Sequence, residues 1–104
     1  MTPDRCVVRV DADHACLVGH FPGNPVVPGV VVLAQIAAAV AQSTPPVRVI
    51  GIPRAKFLLP LQPGQDLVVA LTDQPAGTIG FEGRVGTVTC VRGELQVEPA
   101  EPAA

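Results

Sequence analysis

One stretch limits the possible folds of this chain more than any other. Residues 20–29, His-Phe-Pro-Gly-Asn-Pro-Val-Val-Pro-Gly, run directly into the apolar stretch Val30 to Ala41, VVVLAQIAAAVA. Three prolines and two glycines in ten residues cannot continue a helix or a central strand, so the first part is a loop. Pro28 suits the first turn of a following helix, where its missing N–H costs nothing. The three valines Val30 to Val32 favour a strand, but the alanine-rich second half favours a helix. Ser43-Thr44-Pro45-Pro46 ends it. The only polar side chain inside the helix is Gln35; the next, Gln42, lies on the same face two turns on. A helix otherwise apolar all round is expected to be buried inside a fold rather than to lie on it.

The rest of the chain reads as strands around that helix. Arg5 to Val10 is β-branched and strand-like, and Asp11 to His14 is a turn. Val47 to Ile52 is a strand, with Pro53 marking a bulge or an edge position. Arg54 to Leu61 extends it, and Gln62-Pro63-Gly64-Gln65 turns the chain. Strands are expected over Asp66 to Thr72, Thr78 to Val85, Thr87 to Val91 and Glu94 to Glu98, with a turn or bulge at Arg92-Gly93. The order is strand, loop, helix, then a meander of about four strands. This is an α+β class, one antiparallel sheet curled around one helix. Residues 1–98 form a single domain, and 99–104 form a tail with no apolar anchor.

Composition excludes several functions. The chain has 104 residues, of which 48% are hydrophobic and 15% charged. A body this small buries a modest share of its surface, so the apolar surplus points to an oligomer interface. With no Trp, no Tyr and a net charge of −2, neither stacking platforms nor a basic footprint for nucleic acid is present. No apolar run is long enough for a membrane span or placed for a signal peptide, so a cytoplasmic protein is expected. Cys6, Cys16 and Cys90 lie far apart and are read as small buried residues, with no metal-ligand spacing among them.

The segment HFPGNPVVPG followed by VVL resembles the active-site loop and central helix of the 3-hydroxyacyl-acyl-carrier-protein dehydratases, whose pattern is H-F-P-G-x-P-x-x-P-G. Lys56-Phe57 with Pro60, Pro63 and Gly64, in KFLLPLQPG, resembles the family's K-F-x-x-P-V-x-P-G segment. His14 fits the family's histidine shortly before the loop. The resemblance covers residues 5–98 and implies the hotdog fold, an antiparallel sheet wrapped around one long central helix. It implies His20 as the base that removes the α-proton of a 3-hydroxyacyl thioester, and the Gly29 amide at the helix start as donor to the thioester oxygen. Phe21, Pro22 and Gly23 would shape the loop, and Val26 and Val27 would line an acyl tunnel. Substrate would arrive on the phosphopantetheine of an acyl carrier protein, with no further cofactor and no metal. Arg54 and Lys56 would flank a channel mouth or simply keep the surface soluble. Asn24 and His14 are read as turn and supporting residues.

The same resemblance exposes a gap. The family carries Glu or Asp on the helix five residues after the second motif glycine, and here that position is Ala34. Alanine cannot donate a proton. Gln35 can bind substrate or satisfy buried groups but cannot act as a general acid, and it lies ~100° around the helix. No Asp or Glu occurs between Asp13 and Asp66. Three readings follow. A partner hotdog subunit supplies the acid in a hetero-oligomer. Or the chain works alone on another thioester reaction, such as hydrolysis, with Gln35 or Asn24 orienting water. Or it is a non-catalytic acyl-binding subunit. A homodimer or a hetero-oligomer is expected in each case.

Overall fold

In the computed structural model the described residues are 5–11, 27–42, 47–75 and 77–99. Strand β1 is Arg5–Val8, helix α1 is Gly29–Ala41, and strands β2 to β5 are Val47–Phe57, Leu67–Gln74, Thr78–Val85 and Val88–Pro99. The five strands form one antiparallel sheet in the order β1-β3-β4-β5-β2. Only β3, β4 and β5 form a meander. The chain leaves β1, crosses the sheet through α1, and adds β2 to the far side of β5. The expected four-strand meander is thus corrected: β2 pairs with the last strand rather than the next one.

Period-two alternation decides which sheet face is covered. Leu67, Val69 and Leu71 on β3 are buried and alternate with exposed Val68, Ala70 and Thr72. Their inner face continues across Ile79 and Phe81 on β4 to Val91 and Leu95 on β5. Helix α1 lies against this face and contacts both β1 and β2. It presents Val32, Ile36 and Val40, three residues at four-residue spacing and all but fully buried.

The helix is not covered all round. Val30 is 73% exposed, and Ala34, Gln35 and Ala38 are exposed as well. The expectation of a helix buried on every side is corrected for the single chain: the sheet covers one side only, and the side ~200° away is apolar and open. Gln35 is accordingly not a buried amide in the single chain.

Two further boundaries differ from expectation. Arg92-Gly93 is not a turn; β5 runs unbroken through it to Pro99, which pairs with Val47. Glycine at 93 permits this, because a Cβ there would strike the Arg54 carbonyl and come within 2.8 Å of the Phe81 ring. Pro53 does not end β2. The strand passes it with register shifts between Val49 and Arg54, as expected for a proline on an edge strand. Residues 12–26 and those beyond Pro99, with the turn, loop and tail expected there, lie outside the described residues.

Ile36→Ala should cost about 2–5 kcal/mol in denaturant unfolding, since it empties the centre of the helix–sheet contact. Ala38→Ser, on the open side of the same helix, should change stability by less than about 0.5 kcal/mol.

Candidate active site

The helix N-terminus has no side-chain cap among the described residues. Pro28 is the N-cap residue, with φ −57° and ψ 139°, and it has no side-chain acceptor. Its carbonyl accepts from Val31 N–H at 3.0 Å and Val32 N–H at 3.2 Å. The Gly29 and Val30 amides have no partner among the described residues, and the first turn carries no acidic side chain. The positive end of the helix dipole is therefore left uncompensated by the described residues.

This end opens on an apolar cleft of about 350 Å³. Val27, Gly29 and Val32 form one wall, and residues 57–61 with Leu67, Cys90 and Val91 form the others. Three backbone hydrogen bonds hold the walls together. Val27 N–H donates to the Leu61 carbonyl at 2.8 Å; Leu58 and Leu59 N–H donate to the Cys90 carbonyl at 2.8 and 3.2 Å. The Phe57 ring lies across Gly29, where a Cβ would come within 2.9 Å of its Cζ. Glycine lets the ring lie directly on the helix start. Phe57, Leu58 and Leu59 remain 42–47% exposed, so the cleft is open on the side of β2.

Of the residues expected at the site, Gly29 and Val27 are found together on this cleft. His20, Phe21, Pro22, Gly23, Asn24 and Val26 lie outside the described residues, as does His14. Ala34 and Gln35 do not line the cleft; they are exposed on the open side of α1. Sequence reading assigned no role to Phe57, Leu58 or Leu59, although the run FLLPL was the one visible signal: consecutive large apolar residues beside a proline-glycine turn.

Arg54 and Lys56 are not at the cleft mouth, which corrects one of their two expected roles. They stand on the opposite, outer face of the sheet, around a hollow that also touches Arg92, Glu82 and Glu94. Arg54 approaches Glu94 at 3.8 Å. There the Glu82 carboxyl accepts from Thr89 Oγ1 at 2.8 Å and from Arg84 at 3.0 Å, and these bonds hold it below the usual carboxylate range. Cys90 is buried against the cleft; Cys6 is half-buried, and burial pushes its thiol up.

An apolar slot ending at helix amides with no partner among the described residues suits an acyl chain whose carbonyl oxygen acquires negative charge. The family model for the ApeI dehydratase, ApeI-like, matches residues 4–94. The chain belongs to the ApeI-like dehydratase family. It is 32% identical to the 3-hydroxyacyl-[acyl-carrier-protein] dehydratase FabZ of Verminephrobacter eiseniae over 106 residues, 88% of this chain and 71% of that one. The FabZ of Polaromonas sp. is 35% identical over 88% of this chain and 73% of its own. Among solved structures, the dehydratase heterocomplex ApeI:P from Xenorhabdus doucetiae matches with a TM-score of 0.75 and 24% identity, over 89% of this chain and 84% of that chain. An uncharacterised protein from Erwinia carotovora subsp. atroseptica matches with a TM-score of 0.70 and 24% identity, over 96% and 89%. These two likenesses establish the hotdog fold expected from the sequence.

Gly29→Ala tests the packing at the helix start. The added methyl must displace the Phe57 ring, which is half-exposed and able to move, so the stability cost should stay near ~1 kcal/mol. Thioester turnover should fall by at least about tenfold, because the ring then shifts into the cleft beside the Gly29 amide. Unfolding curves and steady-state rates on one preparation check both halves.

Proposed function

We propose that this chain is the base-bearing half of a 3-hydroxyacyl-thioester dehydratase acting on substrate carried by an acyl carrier protein. The observation that carries the reading is the Gly29 amide at the end of the apolar cleft, without a hydrogen-bond partner among the described residues, with the histidine segment directly before it in sequence. In this scheme the acyl chain lies along Val27, Val32 and Leu61. The thioester oxygen accepts from Gly29 N–H. Neutral His20 takes the proton from the α-carbon, and the electron pair passes into the carbonyl as enolate. When it returns, the bond between the β-carbon and its hydroxyl breaks. That hydroxyl needs a proton to leave as water, giving the 2-enoyl thioester. Phe21, Pro22 and Gly23 shape the loop that carries His20. Proton transfer is the whole of the chemistry, and the proposal uses no metal and no cofactor beyond the carrier's phosphopantetheine.

The donor of that last proton is not in this chain's helix. Ala34 occupies the family's acid position, and its side of α1 is open. The reading therefore places the acid on a second chain that covers this side, so that the site is completed between subunits. The heterocomplex ApeI:P, a fold match, is a dehydratase assembled from two different chains. Gln35, on the same open side, would contact substrate or partner. A cytoplasmic setting suits a carrier-bound substrate.

Dehydration of 3-hydroxyacyl carrier protein, followed as enoyl product, tests this. Turnover in the presence of an acid-bearing hotdog partner should fall by at least ~10² in His20→Ala. Ala34→Glu should raise activity without that partner only where two copies of the variant pair, each copy's new carboxylate serving the other's site. Free thiol without enoyl product would identify a thioesterase instead. Acyl binding with no turnover under any pairing would identify a non-catalytic subunit.

A further inference from the structure

The connection from β2 to β3, residues 58–66, grips the histidine segment on both sides. Gly64 N–H donates to the Val10 carbonyl at 2.8 Å, and the Leu61 carbonyl accepts from Val27 N–H at 2.8 Å. His20 lies between Val10 and Val27 in sequence, so these two residues are its stems. Val10, Val27 and Leu61 are 1%, 3% and 3% exposed and belong to one core. One short connection thus holds two points that are far apart along the chain.

That connection is stiff. Pro60 and Pro63 fix two of its φ angles. Leu58 and Leu59 tie its start to β5 through the Cys90 carbonyl. Its turn closes on itself: Gln65 N–H donates to the Gln62 carbonyl at 3.3 Å, and Gln62 N–H donates to Gln65 Oε1 at 3.0 Å. Gly64 completes the turn at φ 83°, in the left-handed region, and its N–H meets Val10 from that conformation. A third link is electrostatic. Arg9 reaches Asp11 at 3.1 Å and Asp66 at 3.8 Å, but all three side chains are more than half exposed, so these pairs contribute little. The two backbone hydrogen bonds and the buried valines and leucine carry the grip.

We propose that the β2–β3 connection is a clamp that sets where His20 stands relative to the cleft, with Gly64 as its positioning residue. Val27 and Leu61 both line the cleft, so the bond between them joins the substrate's wall to the segment that carries the base. A displacement of about 1 Å in a reacting group costs on the order of 10²-fold in rate, which gives such a clamp its weight. Gly64 acts through Val10 and the turn, not on substrate. The proposal rests on the dehydratase reading in taking His20 as the base, but the clamp itself is tested without substrate.

Matched glycine replacements carry the test. A Cβ at Gly64 meets nothing within 4 Å, and the same holds at Gly86, φ 61°, in the β4–β5 turn, which bonds to neither stem among the described residues. Valine at either position therefore acts by straining the backbone alone, whereas asparagine accepts the left-handed region. Amide hydrogen exchange read by mass spectrometry follows the clamp. Gly64→Val should speed exchange in peptides covering residues 12–26 by at least ~10-fold and leave β4 and β5 unchanged. Gly64→Asn and Gly86→Val should leave residues 12–26 within about twofold of wild type. Deuterium uptake at the α-carbon of a 3-hydroxyacyl thioester, on the same proteins, follows the base. Its kcat should fall at least about tenfold in Gly64→Val with KM within about twofold, and recover in Gly64→Asn. Exchange in residues 12–26 unmoved by Gly64→Val overturns the clamp, as does an equal rise in Gly86→Val or a rise spread over the whole chain. Unchanged α-carbon uptake in Gly64→Val beside faster amide exchange overturns the positioning of His20. Uptake absent from the wild type itself counts against the dehydratase reading, and amide exchange still decides the clamp.

Discussion

Everything at the site depends on one contact, the packing of Val32, Ile36 and Val40 of α1 against the inner face of the sheet. These three residues fix the rotation of the helix about its axis. With them buried, Gly29 comes to the cleft under Phe57, and Val30, Ala34 and Ala38 turn outward. The same rotation therefore sets both halves of the chemistry. It brings the helix start to the cleft and turns position 34 away from it.

That geometry gives Ala34 a meaning that its identity alone does not. If position 34 faced the chain's own cleft, alanine there would simply disable the chain. On the open side, it faces whatever covers the helix. Under the proposed reading, a site completed between subunits tolerates alanine at 34 in one chain, because the acid that serves His20 would belong to the neighbour. Alanine there would then remove this chain's service to its partner's site while leaving its own intact, one productive site per pair.

Much of this could be read from the residues. The helix was visible as an apolar run behind Pro28, and the turn at Gln62 to Gln65 followed from local chemistry. What the residues did not disclose were features set by long-range pairing. Nothing in Arg92-Gly93 says that β5 passes straight through, since the reason lies in Arg54 and Phe81 on two other strands. Nothing in β2 says that it pairs with β5 rather than β3. The helix looked buried on every side because apolar residues surround it; composition cannot distinguish a face covered by its own sheet from one awaiting another chain. Lys56 and Phe57 share a motif but point to opposite faces of the sheet, as neighbours on a strand must.

The proposed dehydratase chemistry gives this chain a base and an oxyanion donor but no acid. Proton exchange separates these functions. Incubation of the chain alone with a 3-hydroxyacyl thioester in D₂O, followed by mass spectrometry, reads deuterium at the α-carbon and enoyl product together. The account predicts α-deuteration above the buffer rate with little loss of water, and its disappearance in His20→Ala. Dehydration by the chain alone at a rate matching its α-exchange would contradict it, as would the absence of any exchange.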